Sequence, residues 1–328
     1  MASGPRVFVL GDVNVDAMAR LESPLTPGAD NIHRAFELQL GGVGANVAVA
    51  LANCGADVRL ASCVGRDWLG EFATEALKRQ RVDTQFLAQA DGVTGLVVIP
   101  VDPDGRRTIL GARGANGTAP AGEIGQWLDG VDAVHLVGYT LLSEHTARLP
   151  AEVAREASRR GIAVSFDPAP WPCASQRERV REMLPLVTTL LVGFEEAEAL
   201  TGQRGSAALE AIAQCGAAEV IVKRGEGGSQ FFEAARWWAM PPFAVQSVDT
   251  TGAGDAFAAG YIWAKLSGWP VADCVLMANA VGAAATSRLG AGEAMPGVED
   301  VRQLLAGVAS DQTEAKLAAR LLRLLSSG

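Results

Sequence analysis

Histidine and cysteine are scarce in this chain of 328 residues, and neither is spaced as in a metal site. The three histidines, His33, His135 and His145, share no ligand spacing, so each is interpreted as a structural or surface residue. The five cysteines include no C-x-x-C pair. Scattered cysteines of this kind predict reduced, mostly buried thiols in a cytoplasmic protein, rather than a disulfide framework or a zinc site.

An excess of positive charge and long apolar runs are also lacking. Lys and Arg number 28 against 37 Asp and Glu, which makes the formal net charge −9, and the basic residues form no long run. Binding to nucleic acid or to an anionic membrane is therefore not expected. No segment reaches about eighteen consecutive apolar residues, and no leader with a cleavage site precedes Val7, so we expect neither membrane spanning nor secretion.

Glycine is the residue type in excess, with 37 of 328 residues against a usual share of about 7%. The glycines cluster in segments 41–44, 225–228 and 252–254 and do not recur at a fixed period. Such clusters predict tight turns and a close approach of the backbone to ligands, because glycine has no Cβ atom.

Short apolar, β-branched runs alternate with longer segments that have helical spacing. The strand candidates are 7–10, 58–61, 133–137, 162–166, 189–192 and 220–222. The helix candidates are 47–53, 68–79, 151–160, 195–201 and 207–215. Gly161 and Gly216 stand where helix C-caps are expected. This alternation predicts a mainly parallel sheet in an α/β fold.

Two regions interrupt the alternation, 17–40 and 94–112, and both are interpreted as exposed strands and turns. Asp-Pro-Asp-Gly at 102–105 predicts a turn between strand-like runs at 96–101 and 107–110. These pieces predict a small accessory sheet.

The last stretch, from about residue 313 to 325, has leucines at helical spacing. It predicts a helix that packs on the core or contacts a partner. We therefore assign 1–310 to one domain and 311–328 to a helical tail.

The most informative segment is 249–257, Asp-Thr-Thr-Gly-Ala-Gly-Asp-Ala-Phe, which follows a strand-like run at 244–248 and opens a helix of small residues. Small residues let the backbone approach a ligand. The start of a helix offers unpaired N–H groups and the positive end of the helix dipole. This combination predicts an anion site suited to phosphate oxygens.

Asp255 falls at this helix start, where an isolated aspartate would be interpreted as an N-cap. Its neighbours favour another role, because the Gly252 to Gly254 turn suits phosphate and Asp249 adds a second carboxylate. A base beside an anion hole is what phosphoryl transfer to an alcohol requires. The P-loop motif, a G-x-G-x-x-G motif after the first strand and the hydrolase motif G-x-S-x-G are all missing.

Segment 249–255 resembles the second signature of the PfkB, or ribokinase-like, carbohydrate kinase family. Segment 41–48, Gly-Gly-Val-Gly-Ala-Asn-Val-Ala, resembles its first signature, and 11–16 resembles its N-terminal sugar-contacting segment. The likeness runs from about residue 7 to 305 in consistent order. It implies a three-layer α/β/α sandwich with a central, mainly parallel sheet and a small β-sheet lid. It also implies ATP-dependent phosphorylation of a hydroxyl, by preference a primary one, of a sugar or sugar derivative.

The resemblance implies a role for each matching residue. Asp255 would be the general base, and the amides of Gly252, Ala253 and Gly254 would form the anion hole. The residues expected to bind the substrate are Asn14, Asp16, Gly42 and Asn46. The residues expected to bind the nucleotide are Lys223, Gly225, Gly227 and Asn279. Asn14 is also consistent with a strand-end turn, and Asn279 with packing in a helix of small residues.

The resemblance implies two kinds of metal ion. Mg²⁺ accompanies ATP because the phosphate charge must be neutralised for transfer, and Glu196 is the candidate contact through water. The family often has Asn-x-x-Glu here, and Gly193 replaces the Asn. Many members also carry a monovalent cation. Asp249, the carbonyl of Thr251 and the turn with Gly290 match that arrangement, so K⁺ is expected, with an ordinary loop as the alternative.

Two departures concern the substrate. Ribokinases usually have Lys where this chain has Val43. They also have a Glu after the strand that here ends near 135–140. Neither charged residue is present in this chain, which disfavours ribose as the substrate. Arg113 and Tyr139 are candidate replacements, although a surface Arg and a packing Tyr fit as well. The Asp167 loop, Asp-Pro-Ala-Pro, resembles a family loop near the active site.

Three alternatives remain open from the sequence. The first is a nucleoside kinase of the same family, the second a non-catalytic sugar- or nucleotide-binding regulator, and the third, more distant, a dehydrogenase. A homodimer through the lid is expected, because lid-to-lid contact is a common dimer mode in the family.

Overall fold

The structure, a computed structural model, describes residues 4–31, 35–104, 106–307 and 312–327, so that His33 and Gly105 lie outside the described residues. The strands, in chain order, are β1 (Arg6–Leu10), β2 (Asn14–Arg20), β3 (Glu37–Gly41), β4 (Asp57–Gly65), β5 (Val82–Ala90), β6 (Gly95–Val101), β7 (Leu110–Ala112), β8 (Ala133–Val137), β9 (Ala163–Asp167), β10 (Thr189–Gly193), β11 (Glu219–Lys223), β12 (Ser229–Glu233) and β13 (Arg236–Met240).

The helices, in chain order, are α1 (Val43–Asn53), α2 (Trp68–Arg79), α3 (Ile124–Trp127), α4 (Leu149–Arg159), α5 (Pro170–Ser175), α6 (Arg177–Met183), α7 (Phe194–Thr201), α8 (Ser206–Ala213), α9 (Ala253–Leu266), α10 (Val271–Thr286), α11 (Val298–Ala306) and α12 (Gln312–Ser327).

Nine of these strands form one large sheet in the order β13-β12-β11-β10-β9-β8-β1-β4-β5. In this spatial order, each strand from β11 through to β5 pairs in parallel with the next. At the other edge, β12 pairs antiparallel with β11 and β13 pairs antiparallel with β12. The predicted mainly parallel sheet is therefore confirmed. The sequence interpretation missed β5, β12 and β13, which lie at the two edges where strands are covered less and their apolar pattern is weaker.

The central strands bury side chains on both faces, which gives the three layers. On β1, Val7 and Val9 join a core with α1, α2, α9, α10, α11 and α12, whereas Phe8 and Leu10 join a second core with α3, α4, α6, α7 and α8. Successive side chains of a strand point to opposite faces, and each fully buried Val, Leu or Phe contributes about 1.5–3 kcal/mol. A strand that is apolar at every position is therefore stable only between two helical layers.

The smaller sheet has the order β3-β2-β6-β7 and lies apart from the large one. The predicted accessory sheet is confirmed, but it begins at Asn14 rather than near residue 17. Asn14 and Asp16 consequently lie on a strand of this lid, and they are not part of a turn after β1. We call this sheet the lid.

Two other expectations on local structure were wrong. Segment 244–248 forms no strand, because its backbone bonds to helices: the Ala244 amide donates to Glu314 Oε1, and the Val248 amide donates to the Thr286 carbonyl. The strand-like run 107–110 forms only an isolated bridge between Arg107 and Val101 before β7 begins.

Helix α12 forms where the leucine spacing predicts it, and Leu321 and Leu325 are buried in the core with α10 and α11. Its Arg320 also pairs with Asp273 of α10 at 2.6 Å. The division into a domain of 1–310 and a tail of 311–328 stays a prediction. Within the described residues, no helix combines the length and the apolar character that crossing a membrane requires.

Candidate active site

A cavity of about 720 Å³ lies between the lid and the carboxyl edge of the large sheet. Its walls include Asp12 after β1, Asp16 on the lid, Asn46 on α1 and Asp255 at the start of α9. In open parallel sheets, ligands bind outside the carboxyl ends of the strands. The topology therefore brings together side chains that are far apart in the sequence, at the place where such a fold binds small molecules.

The start of α9 leaves backbone donors unpaired. Gly252 is the N-cap residue and has a φ of 74°, in the left-handed region that favours glycine. A Cβ atom at this position would also lie 3.0 Å from the Ala291 Cβ atom. The amides of Gly252, Gly254 and Asp255 have no hydrogen-bond partner within the described chain, whereas the Ala253 amide donates to the Thr250 carbonyl over 3.3 Å. The site thus offers three free N–H groups, with the amide of Asp255 in place of that of Ala253.

Asp255 is held by a single side chain from the first glycine-rich segment. Asn46 Nδ2 donates to Asp255 Oδ2 over 2.7 Å, and the Gly292 amide donates to Asn46 Oδ1 over 2.9 Å. Because the Gly292 amide can only donate, the Asn46 atom that it contacts must be the side-chain oxygen. The other atom of the Asn46 amide, Nδ2, therefore donates to the Asp255 carboxylate. The Asp255 side chain does not cap its own helix, which argues against the N-cap interpretation.

The surroundings of Asp255 favour its neutral form. Burial and the charges of Asp167 and Asp12 raise the pKa of Asp255, while the Asn46 hydrogen bond and the charge of Lys223 lower it. The net result is a pKa of about 8. Asp255 lines the cavity and is half-buried. A carboxyl with a pKa in this range is suited to proton transfer near neutral pH.

Lys223 brings a positive charge next to the free amides. Its Nζ atom lies 2.6 Å from Asp167 Oδ2, and both side chains are largely buried. A Cβ atom built on Gly254 would lie 3.5 Å from the same Nζ atom. Burial lowers the pKa of Lys223, but the charges of Asp167 and Glu196 outweigh that effect and raise the pKa above its ordinary value. The ammonium group is therefore charged beside the anion hole.

Asp16 points into the cavity without a partner. Its Oδ1 atom is buried and accepts no hydrogen bond within the described residues. Burial, together with the charge of Asp12, raises the pKa of Asp16 to about 7. Glycine at position 41 makes room for this carboxyl, since a Cβ atom there would lie 2.2 Å from Asp16 Oδ1. A buried, unpaired carboxyl is costly, so the arrangement calls for donors from a ligand such as sugar hydroxyls.

Asn14 is fixed by two neighbours at the cavity wall. Asn116 Nδ2 donates to Asn14 Oδ1 over 2.8 Å, and Asn14 Nδ2 donates to Asp12 Oδ2 over 3.2 Å. Gly42, with a φ of 95°, passes close to the Asp12 carbonyl, which a Cβ atom would approach to 2.6 Å. All four predicted substrate-binding residues therefore line one cavity.

The predicted nucleotide residues divide into two groups. Lys223 and Gly225 line a second cavity of about 600 Å³, on the other side of the Gly254 turn, and Gly227 belongs to the same short 3-10 turn as Gly225. Asn279, by contrast, is buried: Ser229 Oγ donates to its Oδ1 over 3.0 Å, and its Nδ2 donates to the Pro241 carbonyl over 2.9 Å. Its contact with a nucleotide stays a prediction, because its amide already ties α10 to the edge strands.

Glu196 lines the second cavity as well. Its Oε2 atom accepts the Gly193 amide over 2.7 Å, while the other oxygen accepts no hydrogen bond within the described chain. Burial raises the pKa of Glu196, and Lys223 opposes this shift. Within the described residues, no group of three or more His, Cys, Asp or Glu is arranged to hold a metal.

Asp249, Thr251 and Gly290 do come together, but a side chain from the lid joins them. Asp249 Oδ1 accepts from the Thr251 amide, the Thr251 hydroxyl and Arg107 Nη1, and its Oδ2 atom accepts from the Gly290 amide. Burial raises the pKa of Asp249, but the Thr251 and Gly290 amides, the Thr251 hydroxyl and the charge of Arg107 together hold it below its ordinary value.

Sequence reasoning missed several residues of the site. Asp12 stands inside the quoted 11–16 segment and follows β1 directly, so its position was a usable signal. Arg107 lies between β6 and β7, and Asn116 lies in the 3-10 turn that follows β7. Trp171 lies on α5, is exposed and lines the cavity. Nothing local in the sequence marks these three, since each reaches the site only because the lid and α5 pack over the sheet edge.

Comparison with known proteins gives one consistent result. A family model described as pfkB family carbohydrate kinase matches residues 5–297. The ATP-dependent ribose-1-phosphate kinase of Halopiger xanaduensis is 34% identical over 293 residues, which cover 87% of this chain and 93% of the relative. The ribokinase of Haemophilus influenzae is 27% identical over 307 residues, 90% of this chain and 97% of the relative.

Solved structures agree on the fold. A putative ribokinase II from E. coli, determined in complex with ATP and Mg²⁺, superposes with a TM-score of 0.81 at 23% identity. The match covers 92% of this chain and 99% of that structure. The predicted ribokinase-like sandwich with its small lid is therefore confirmed.

Proposed function

This chain belongs to the pfkB family of carbohydrate kinases, and from that premise we propose that it transfers the γ-phosphate of ATP to a primary hydroxyl of a sugar or sugar derivative. The observation that carries the proposal is the position of Asp255. Its side chain lines the same cavity as Gly252 and the partnerless carboxyl of Asp16, and it belongs to the helix start whose amides are unpaired.

In the proposed reaction, Asp16 and Asn14 orient the sugar. The Asp16 carboxylate accepts hydrogen bonds from the sugar hydroxyls, and the Asn14 amide donates to them. Asp255, in its ionised form, accepts the proton of the reacting hydroxyl, and that oxygen forms a bond to the γ-phosphorus as the bond to ADP breaks. The amides of Gly252, Gly254 and Asp255, with the Lys223 ammonium, stabilise the charge on the transferred group. Closure of the lid excludes water from the cavity.

The nucleotide is proposed to lie in the second cavity, over Gly225 and beside Lys223. Mg²⁺ fits this site, because it is commonly bound through one or two carboxylates together with substrate phosphates. Glu196 lines that cavity, and one of its carboxylate oxygens accepts no hydrogen bond from the described residues. The residue that would hold the ion, through water, is Glu196. When bound, Mg²⁺ neutralises phosphate charge. Because ATP is the donor, we expect the protein to work in the cytoplasm.

A sugar phosphate is a second candidate substrate. The relative with 34% identity is described as a ribose-1-phosphate kinase. In addition, the half-buried side chain of Arg113 lines the substrate cavity, and its guanidinium makes one hydrogen bond, from Nη2 to the Asn116 carbonyl at 3.2 Å. Burial lowers the pKa of Arg113, but a guanidinium group stays charged in proteins. Its remaining donors suit the oxygens of a phosphate group.

A panel of acceptors tests the proposal. Purified protein is assayed with ATP and Mg²⁺ against ribose, fructose, ribose 1-phosphate, inosine and adenosine, with Asp255→Asn as the control for contaminating kinases. We expect phosphorylation of a sugar or sugar phosphate. Phosphorylation of nucleosides alone would replace the proposal by the nucleoside kinase alternative, and no transfer to any acceptor would favour the non-catalytic regulator.

We also propose a homodimer through the outer face of the lid. Leu38, Ala17, Val98 and Leu110 form one row across the four strands of the lid, and Leu38 and Leu110 are exposed. Light scattering of the wild type and of Leu110→Lys checks this: a dimer that becomes a monomer in the variant supports the interface, and a monomeric wild type contradicts it.

A further inference from the structure

The guanidinium of Arg107 contacts the carboxylate of Asp249, which the sequence resemblance names as a ligand of a monovalent cation. Arg107 Nη1 donates to Asp249 Oδ1 over 2.8 Å and contacts the Thr251 hydroxyl, and Nη2 donates to the Thr250 hydroxyl over 2.6 Å. One cationic group therefore binds the carboxylate and both hydroxyls of the loop that leads into the anion hole. Asp249 is buried in this contact, with 6% of its side chain exposed.

Protein donors occupy most of the hydrogen-bond capacity of Asp249, above all that of Oδ1. An ionised carboxylate offers about four lone-pair positions. Three hydrogen bonds reach Oδ1 and one reaches Oδ2, from Thr251, Gly290 and Arg107. A bare monovalent ion needs oxygen ligands that replace its hydration water. The residues as they stand do not fit K⁺, because Arg107 already supplies the positive charge and occupies the acceptor.

The proton arrangement around Thr251 is consistent with this occupancy. The Thr251 hydroxyl has one hydrogen, which it donates to Asp249 Oδ1, so its lone pairs accept the N–H of Arg107. The guanidinium of Arg107 carries a positive charge. The Asp249 carboxylate and the Arg107 guanidinium thus form a neutral pair without any further ion.

Arg107 reaches the loop from the lid, 142 residues away in the sequence. Its backbone is held against the lid by a bridge to Val101, and the Thr108 amide donates to the Pro100 carbonyl over 3.1 Å. The neighbouring Arg106 points away, pairs with Asp102 and Asp104 at 2.8 Å within its own turn, and is 71% exposed. The two adjacent arginines therefore differ in one respect that matters here: only Arg107 contacts the anion-hole loop.

We propose that Arg107 is a built-in replacement for the monovalent cation, so that this kinase needs no K⁺ and its anion-hole loop is neutralised by a residue of the lid. The inference rests on the proposed function only for its rate measurement. Its second measurement, ion binding by the protein without substrate, does not depend on catalysis.

The test compares the wild type with Arg107→Ala, and with Arg106→Ala as the matched control. Melting temperatures are measured in KCl and in tetramethylammonium chloride at equal ionic strength. We expect the wild type and Arg106→Ala to melt at the same temperature in both salts. Arg107→Ala should melt lower in tetramethylammonium chloride and recover by at least about 2 °C as K⁺ saturates the vacated site. Arg107→Met, which keeps the apolar stem, repeats the comparison if the alanine variant does not fold.

A saturable rise of the wild-type melting temperature with K⁺ would overturn the proposal, and so would the absence of any K⁺ response in both Arg107 variants. Initial rates give the second reading. The wild-type rate should be equal in the two salts within about twofold, whereas the Arg107 variants should be slow and accelerate with K⁺. If no acceptor is phosphorylated by any variant, the proposed function fails, while the melting experiment still decides the question of the ion.

Discussion

The side chain of Asn46 donates to Asp255 Oδ2 over 2.7 Å, although 209 residues of sequence separate the two. This bond joins segment 41–48 to segment 249–255. Asn46 thus bonds to one carboxylate oxygen of the candidate base. The Gly292 amide in turn donates a hydrogen bond to Asn46. The acid–base behaviour of Asp255 is therefore expected to depend on a residue outside its own helix.

Replacing Asp255 by Asn should lower kcat by about 10²–10⁴-fold, because the reacting hydroxyl loses its proton acceptor. The amide has nearly the same shape, so ATP binding, measured by calorimetry, should change less than about threefold. Turnover close to that of the wild type would refute the role of Asp255 as the base.

The pH dependence of kcat/KM should show an ascending limb, with a midpoint near the pKa of Asp255 in the free enzyme, about 8. The sign follows from the chemistry: the base must be ionised, so the rate rises with pH through this pKa. In Asn46→Ala the carboxylate loses a donor that stabilises its charged form, and the limb should move to higher pH by about one unit.

Asn53→Ala is the matched control for this shift. Asn53 lies on the same helix and donates to the Met295 carbonyl over 2.8 Å, so its loss removes a structural hydrogen bond without touching Asp255. A limb that moves equally in both variants, or downwards in Asn46→Ala, would contradict the assignment.

Replacing Asp16 by Asn should stabilise the protein without substrate at pH 8. The folded pKa of about 7 lies above the ordinary value of 3.8, so ionisation of Asp16 costs folding free energy that grows from about pH 4 to pH 7. Removing the charge should raise the free energy of unfolding at pH 8 by about 1–4 kcal/mol, and by far less at pH 5. Urea denaturation at both pH values measures this, with the exposed Asp91→Asn as control. A loss of stability at pH 8 would contradict the unpaired state of Asp16.

Replacing Asp16 by Ala should raise the KM for the sugar by at least about tenfold, because the hydroxyls lose a charged acceptor. The KM for ATP should stay within about twofold, since the nucleotide is expected in the other cavity. Steady-state kinetics with each substrate varied in turn separates the two effects, and an unchanged sugar KM would remove Asp16 from the binding site.

Arg113→Met distinguishes a sugar phosphate from a neutral sugar. If a phosphate group contacts Arg113, the KM for ribose 1-phosphate should rise by about 10–100-fold while that for a neutral sugar changes less than about threefold. Arg106→Met, at an exposed lid arginine, is the control. Equal effects of Arg113→Met on both substrates would assign Arg113 a packing role.

Much of the fold was predictable because it depends on local patterns. The apolar runs that became β1, β8, β9, β10 and β11 mark strands buried on both faces, and the small residues after Gly252 mark a helix start with free amides. The edge strands β5, β12 and β13 were not predictable in the same way. Their stability comes from pairing with a neighbour, and their own sequence carries a weaker pattern.

The sequence by itself determined which backbone segments can bind an anion and which carboxyl adjoins them, because turns and helix starts depend on the few residues that form them. Only the tertiary structure decided the partners: Asn46 with Asp255, Asp167 with Lys223, and Arg107 with Asp249. These contacts depend on the order of strands in the sheet and on the docking of the lid. Burial then shifted the pKa values of Asp16 and Asp255, since the cost of a charge depends on the whole surrounding cavity and on nothing in the adjacent sequence.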